Sequence, residues 1–211
     1  PMHHVQVMND HDGWVVGLGA SDMKGGLAVA LELARGLDHP STTCDLALLL
    51  FGREELPAEH NPLPALFDAS RAIHETTLAV VLEPTDLEVQ SGCLGNVVAR
   101  LTFHGTSGHS ARPWLADSAL ERAVRGLAPL LEHEPRVAVV GGLEFREVVS
   151  VTRLEAGIAD NVIPGEATAT LNLRYPPDRE ATDAEAYLAT LVPDGATLEI
   201  VSNAAPARVV A

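Results

Sequence analysis

The apolar residues of this chain follow two different patterns, and the change between them falls near Gly92. Before Gly92, apolar residues form uninterrupted runs at Leu46–Phe51 and Leu78–Leu82, which are too short for helices and are bounded by turn residues. Such runs are typical of strands buried on both faces, as in a parallel sheet covered by helices. A glycine-punctuated run at Trp14–Ala20 precedes residues whose helical spacing predicts a helix over Leu27–Leu37. The first part of the chain is therefore predicted to be α/β, with a parallel or mixed sheet.

After Gly92 the apolar residues alternate with polar ones, as on a strand with one face in water. The predicted strands are Val97–Phe103, Val148–Leu154, Ala167–Tyr175 and Thr197–Val201, and the predicted helices are Ser118–Leu131 and Arg179–Leu191. This order is βαββαβ, the ferredoxin-like arrangement in which a four-stranded antiparallel sheet carries two helices on one face. We therefore predict an α/β domain at residues 1–91, a small βαββαβ domain at residues 92–203, and a return to the first domain at residues 204–211.

The charge balance argues against several classes of partner. Fourteen Lys and Arg residues against 29 Asp and Glu residues give a formal net charge of −15, and such a surface repels phosphate backbones and anionic lipid head groups. The longest strictly apolar run is Leu46–Phe51, whereas a membrane-spanning helix needs about 20 residues. Cys44 and Cys93 have no paired spacing, so neither a disulfide framework nor a thiolate zinc site is predicted. The sequence predicts a cytoplasmic protein with no nucleic-acid or membrane partner.

Acidic residues follow the apolar runs of the first part. Asp22 follows the run that begins at Trp14, Glu54 and Glu55 follow Phe51, and Glu83 follows Leu82. Because the carboxyl ends of neighbouring parallel strands meet at one edge of a sheet, we expect these acids to converge in one crevice. Converging carboxylates repel one another unless cations lie among them, and zinc accepts Asp, Glu and His ligands. Taken singly, each acid has an ordinary explanation, Asp22 as a helix N-cap and the glutamates as solvated turn residues.

A glycine-rich loop at Gly105–Pro113 follows the first strand of the small domain and carries His109 and Arg112. An imidazole is a suitable donor to a developing oxyanion, and a guanidinium suits a carboxylate. The alternative is an exposed histidine with no functional role.

Five short motifs occur in order along the chain, namely Ser21–Gly26, Glu54–Glu55, Glu83–Thr85, Gly108–Pro113 and Asn161–Gly165. Together they resemble the dinuclear zinc amidohydrolases, a metallopeptidase family that includes succinyl-diaminopimelate desuccinylase, acetylornithine deacetylase and carboxypeptidase G-type enzymes. The stretch His109–Leu115 with Asp117 is most similar to the actinobacterial type of the desuccinylase. The resemblance implies a partial zinc-peptidase catalytic domain with an inserted dimerisation domain.

The resemblance also implies a metal centre of two zinc ions, for which cobalt is the alternative. Asp22 would bridge the two ions, Glu55 would bind one of them and Glu83 the other. Glu54 would be the general base, which takes a proton from water and delivers it to the leaving amine.

On the substrate side, the resemblance implies a homodimer in which His109 reaches the partner subunit's active site and stabilises the tetrahedral oxyanion. Asn161 and Arg174 match positions that bind substrate in relatives. Arg174 and Arg112 are the cations suited to the carboxylates of an anionic substrate.

The implied reaction is hydrolysis of the amide bond of an N-acyl amino acid. The branch favours N-succinyl-LL-2,6-diaminopimelate, cleaved to succinate and LL-2,6-diaminopimelate in lysine biosynthesis. Acetylornithine deacetylase and carboxypeptidase G-type activities are the alternatives within the family. Outside it, the alternatives are a dimerisation module that pairs through an edge strand and a helix, and an inactive peptidase-like regulator.

Two expected zinc ligands of the family do not occur in this sequence. No His-x-Asp motif precedes Gly17–Gly19, and the last histidine is His133, before the end of the small domain. These departures indicate that the chain is an internal piece of a longer enzyme. We expect such a piece, by itself, to be inactive or to bind zinc weakly.

Overall fold

The computed structural model describes residues 8–11, 13–36, 44–54, 56, 60–207 and 209. The chain divides into two compact units, Pro1–Val89 and Gln90–Ala211. No helix among the described residues is both long enough and apolar enough to cross a membrane.

The described residues of the first unit form a small hairpin and three helices. Strands β1 (Met8–His11) and β2 (Trp14–Val16) pair antiparallel. An irregular helical turn, Ala20–Gly25, leads into α1 (Gly26–Gly36), and α2 (Leu63–Ala69) and α3 (Arg71–His74) follow. The predicted helix over Leu27–Leu37 corresponds to α1 as far as the described residues extend.

The predicted parallel sheet is wrong for the described part of the first unit. Leu46–Phe51 and Leu78–Leu82 form no strands, and their side chains are largely exposed, with Leu50 at 61% and Val80 at 73%. A strand requires a neighbour for its backbone hydrogen bonds, and β1 and β2 are the only paired strands among the described residues of this unit. An apolar run indicates that a segment tends to be buried, but it does not supply the partner strand.

The second unit is built on a five-stranded sheet in the order β5-β6-β8-β3-β9, with every neighbouring pair antiparallel. Its strands are β3 (Gly95–His104), β5 (Arg136–Val140), β6 (Leu143–Ala156), β8 (Glu166–Tyr175) and β9 (Ala196–Ala204), and its helices are α4 (Ala119–Leu131) and α5 (Ala181–Thr190). A short separate ladder joins β4 (Gly108–His109) to β7 (Val162–Ile163). The predicted order of four strands and two helices is present. The additional strand β5 forms a hairpin with β6 through Gly141 and Gly142, which both have positive φ angles.

The two helices cover one face of this sheet. Val97, Leu101, Leu171 and Leu173 are fully buried, and they pack in one cluster with the buried residues of α4 and α5. The residues between them along β3 and β8 point to the opposite face and are mainly polar. This period-two alternation is the pattern from which the strands were predicted.

A buried carboxylate joins the edge hairpin to the segment before α5. Glu147, in β6, is only 2% exposed, and its two oxygens accept hydrogen bonds of 2.8 to 3.0 Å from the guanidinium groups of Arg136 and Arg179. Arg136 also donates to Asp178 at 2.8 and 3.0 Å. Burial alone would raise the pKa of Glu147, but the hydrogen bonds from the two arginines outweigh this effect and hold it below its usual value.

Candidate active site

Asp22 lies in the irregular turn between β2 and α1. The turn begins at Gly19, whose φ angle is 72°, and the backbone N–H of Lys24 closes it by donating to the Gly19 carbonyl at 2.8 Å. The Lys24 ammonium donates to the Leu18 carbonyl at 2.6 Å. Asp22 is exposed, and the peptide bond that follows it is cis.

The segment that leads to Glu83 runs directly beside the start of α1. A Cβ atom placed on Gly26 would lie only 2.5 Å from the Leu82 carbonyl oxygen, so only a glycine allows this approach. Gly26 follows Asp22 by four residues, and Glu83 follows Leu82 by one. The backbone therefore brings the segments of these two acids close together within the first unit.

The other two acids of the predicted centre are Glu54 and Glu55. Glu54 is exposed in a turn, and Glu55 lies outside the described residues. Among the residues that the structure describes, no group of three or more His, Cys, Asp or Glu side chains is arranged to hold a metal ion. Asp22 and Glu83 have the donor chemistry that zinc accepts, but the described residues alone do not form a complete zinc site.

In the second unit, backbone hydrogen bonds join the loop that carries His109 to the loop that carries Asn161. His109 lies in β4, opposite Val162 of β7, and the backbone N–H of Ser110 donates to the Asn161 carbonyl at 2.9 Å. Within the His109 loop, Gly108 allows a close approach to Ala116, because a Cβ atom on Gly108 would lie 2.6 Å from Cβ of Ala116. The structure therefore brings His109 and Asn161 together within one chain.

The base of the same loop is closed by a clamp that the sequence did not predict. Thr106 and Asp117 exchange two backbone hydrogen bonds, of 2.8 and 2.9 Å. The guanidinium of Arg122, in α4, holds the Asp117 carboxylate through two hydrogen bonds, and these bonds keep the pKa of Asp117 below its usual value. Arg122 follows Asp117 by five residues across a helix start, a spacing that carries no recognisable motif.

Arg112 belongs to this loop as well. Its backbone N–H donates to the His109 carbonyl at 2.8 Å, while its side chain is exposed. The loop thus carries both His109 and Arg112 as exposed side chains.

Arg174 lies on the polar face of the sheet, near the end of β8. Its Nε donates to Oδ1 of Asn172 at 3.0 Å, and Nδ2 of Asn172 donates to Oδ1 of Asn96 at 2.8 Å. This chain of hydrogen bonds orients the guanidinium. The two asparagines were not predicted as site residues, although their place on the same face as Arg174 follows from strand alternation.

The structure does not bring Arg174 and His109 together. The loops of His109 and Asn161 lie at the other end of β8, where the Gly105 N–H donates to the Gly165 carbonyl at 2.8 Å. Glu166 and Arg174 are eight residues apart on an extended strand, a span of about 27 Å. One small ligand cannot contact both ends of this sheet in a single chain.

Comparison with known proteins finds a family match for most of the second unit. Residues 93–197 match the M20 family model described as a peptidase dimerisation domain. A structure of the aminobenzoyl-glutamate utilization protein from Klebsiella pneumoniae overlaps 55% of this chain and 30% of its own, with 18% identity and a TM-score of 0.41. The family assignment does not depend on that partial overlap.

Two curated relatives extend the match beyond this domain. A Mycobacterium tuberculosis protein named for succinyl-diaminopimelate desuccinylase (DapE) is 37% identical over 168 residues, which are 80% of this chain and 47% of that protein. The succinyl-diaminopimelate desuccinylase of Corynebacterium glutamicum is 34% identical over 186 residues, 87% of this chain and 50% of that enzyme. This chain therefore spans about half the length of the relatives it matches. From these matches we conclude that the chain belongs to the M20 peptidase family and contains its dimerisation domain.

Proposed function

We propose that this protein acts as a zinc-dependent amidohydrolase whose substrate is N-succinyl-LL-2,6-diaminopimelate, which it cleaves to succinate and LL-2,6-diaminopimelate. The observation that carries the proposal is the similarity to two actinobacterial proteins that bear the desuccinylase name, over 80% and 87% of this chain. The order of the acidic, histidine and asparagine motifs along the sequence supports the same chemistry.

In this proposal Asp22, Glu55 and Glu83 would hold the two metal ions. Zinc, when bound, supplies a Lewis acid that polarises the amide carbonyl and makes water easier to deprotonate. Glu54 accepts a proton from the attacking water and passes it to the leaving amine, as a general base and then a general acid.

His109 donates a hydrogen bond to the oxyanion of the tetrahedral intermediate, and Asn161 holds the substrate beside it. Such a donor stabilises charge that develops only along the reaction path, which is why it accelerates the chemical step. Arg174 and Arg112 bind the substrate carboxylates, for which the planar guanidinium fork is well suited.

The positions of these residues favour a homodimer. His109 and Arg174 lie at opposite ends of the sheet of one chain, so a single small substrate requires them from two subunits. A homodimer also agrees with the description of the matched domain. We propose that Arg174 of one subunit and the His109 loop of its partner contact the same substrate molecule.

The test is a substrate panel on the full-length protein with its metal. We expect turnover of the N-succinyl-diaminopimelate substrate to exceed that of N-acetylornithine and N-acylglutamates, and chelation to abolish it. Glu54→Ala should reduce turnover by at least about a thousandfold while the metal content is unchanged, because the proton acceptor is lost.

Glu75→Ala is the matched control, since Glu75 is an exposed acid of the same unit whose side chain pairs with Arg71. Undiminished activity of Glu54→Ala would refute the assigned base. Preference for an acetyl or glutamate substrate would move the protein to another branch of the family, and absence of any turnover would favour a dimerisation module.

A further inference from the structure

We propose that His109 is held in a single tautomer, with its proton on Nε2, because the backbone N–H of Ala111 occupies Nδ1. The inference deepens the proposed function, on which the catalytic meaning of the tautomer rests. It makes His109 a hydrogen-bond donor with a fixed proton, and it makes the Ala111 amide a positioning group that acts through His109.

The contact that carries the inference is local and directional. The Ala111 N–H points at Nδ1 of His109 with a nitrogen-to-nitrogen distance of 3.1 Å. An N–H donor requires a lone pair on the acceptor, so Nδ1 is unprotonated in this arrangement. Since a neutral imidazole carries one proton, that proton is on Nε2.

The backbone on both sides of this contact is fixed. Ser110 is bound to the Asn161 carbonyl at 2.9 Å, and the Arg112 N–H donates to the His109 carbonyl at 2.8 Å. The β4–β7 ladder and the bonds between Thr106 and Asp117 hold the rest of the loop. The donor and the ring therefore keep their relative positions without a contribution from any ligand.

The second ring nitrogen, Nε2, belongs to an exposed side chain. His109 is exposed, and its ring makes no hydrogen bond through Nε2 to any other residue in the described part of the second unit. A free Nε2–H is the group that an oxyanion requires, whereas a lone pair at Nε2 would repel it. The Ala111 amide thus selects the tautomer that donates, and proton transfer is left to Glu54.

The arrangement also limits what His109 does. To accept a proton at Nδ1 the ring would have to give up the Ala111 hydrogen bond, because two N–H groups would then face each other. His109 is therefore suited to bind a charge and is poorly suited to relay a proton between its two nitrogens.

The test is the long-range ¹H–¹⁵N spectrum of the ¹⁵N-histidine-labelled chain above neutral pH, with the His109 signals assigned by their loss in His109→Gln. We expect Nδ1 to have the chemical shift of an unprotonated nitrogen and Nε2 that of a protonated one. A protonated Nδ1, or two averaged shifts as in free histidine, would overturn the proposal.

Two variants test the assigned donor. Ala111→Pro lacks the backbone N–H, so both ring nitrogens should move toward the averaged shifts, while Ala111→Gly retains the N–H and should keep the wild-type values. Equal spectra for the two variants would refute the role of the amide. If Ala111→Pro does not fold, the wild-type spectrum and Ala111→Gly still decide the tautomer.

These measurements do not depend on the proposed function. A single Nε2–H tautomer in a protein that fails to hydrolyse any of the panel substrates would leave this inference standing and remove only its catalytic meaning. Averaged tautomers in a protein that is an active desuccinylase would refute this inference and leave the proposed function standing.

Discussion

At the residue scale, Glu147 shows how a charge is accommodated inside the second unit. Among the described residues it is the one charged side chain that is buried. Both of its carboxylate oxygens accept hydrogen bonds from Arg136 and Arg179. The Arg179 guanidinium also lies over the Tyr187 ring, 4.5 Å from the ring centroid. Because both arginines lose solvent contact to reach this carboxylate, its removal leaves Arg179 without this partner and leaves Arg136 with Asp178 alone.

Glu147→Gln should therefore lower the free energy of unfolding by about 3 kcal/mol at pH 7. The pKa of Glu147 is lowered in the folded state, so its stabilising contribution is complete above the ordinary glutamate pKa and is lost as pH falls through the folded value. The difference between wild type and variant should shrink on acidification below about pH 4.5. Urea unfolding between pH 7 and pH 3 measures both effects.

Glu144→Gln is the control for this variant. Glu144 pairs with Arg146 at 3.4 Å on the surface of the same strand, and an exposed pair contributes about 0 to 1 kcal/mol. Equal losses in the two variants at pH 7, or a difference that grows in acid, would contradict the assignment.

At the element scale, helix α4 and the loop before it are joined by side-chain hydrogen bonds. Ser118 caps α4, with its Oγ accepting from the Glu121 N–H at 3.2 Å, and Arg122 of the first turn holds Asp117 at the exit of the loop. The helix therefore fixes one end of the segment that presents His109. An exposed ion pair adds little global stability, so its effect is expected in the local order of the loop.

Arg122→Gln should increase amide hydrogen exchange at residues 106–117 by about tenfold, since opening the clamp frees the loop base. The melting temperature should change little. Hydrogen exchange followed by mass spectrometry makes the comparison. Arg125→Gln is the control, because Arg125 pairs with Glu121 on the same helix at 3.1 Å. Unchanged exchange in Arg122→Gln would show that the backbone bonds of the loop suffice.

At the scale of the whole molecule, the second unit presents an apolar edge. Leu120, Val124 and Leu131 are exposed along one stripe of α4, with Val124 at 56%. Helix α4 packs on the β6 side of the sheet. Beyond β6 lies the edge strand β5, whose exposed Val137 and Val139 point to the face opposite the helices, because Ala138 between them is buried. An edge strand beside an apolar helix stripe is a surface suited to a second copy of the chain.

Val124→Glu should therefore weaken self-association of the chain by at least about tenfold, because a charge would be buried without a partner in the dimer. Sedimentation velocity across the micromolar range measures the dissociation constant. Val201→Glu is the control, since Val201 is 52% exposed in β9 at the opposite edge of the sheet. A monomeric wild type, or equal weakening by both variants, would contradict pairing through α4 and β5.

The sequence by itself determined four strands and both helices of the second unit, together with the family motifs. Val97–Phe103 and Ala167–Tyr175 were predicted closely because each side chain of a half-buried strand reports its own environment by alternation. Ser118 was likewise placed at the start of a helix, where its hydroxyl satisfies a free backbone N–H. Alternation and helix capping are local properties, so a short stretch of sequence is sufficient to predict the strand or the helix start.

Only the tertiary structure decided which segments meet. Among the described residues it gave Leu46–Phe51 no partner strand, and it added β5 to the sheet. It also placed the loop of His109 against Asn161 and set Arg174 at the far end of β8. Pairing of strands, burial of a charge and convergence of side chains depend on residues that are distant in the sequence. The periodicity of one segment does not indicate which other segment it contacts. These contacts could therefore be identified only from the folded chain.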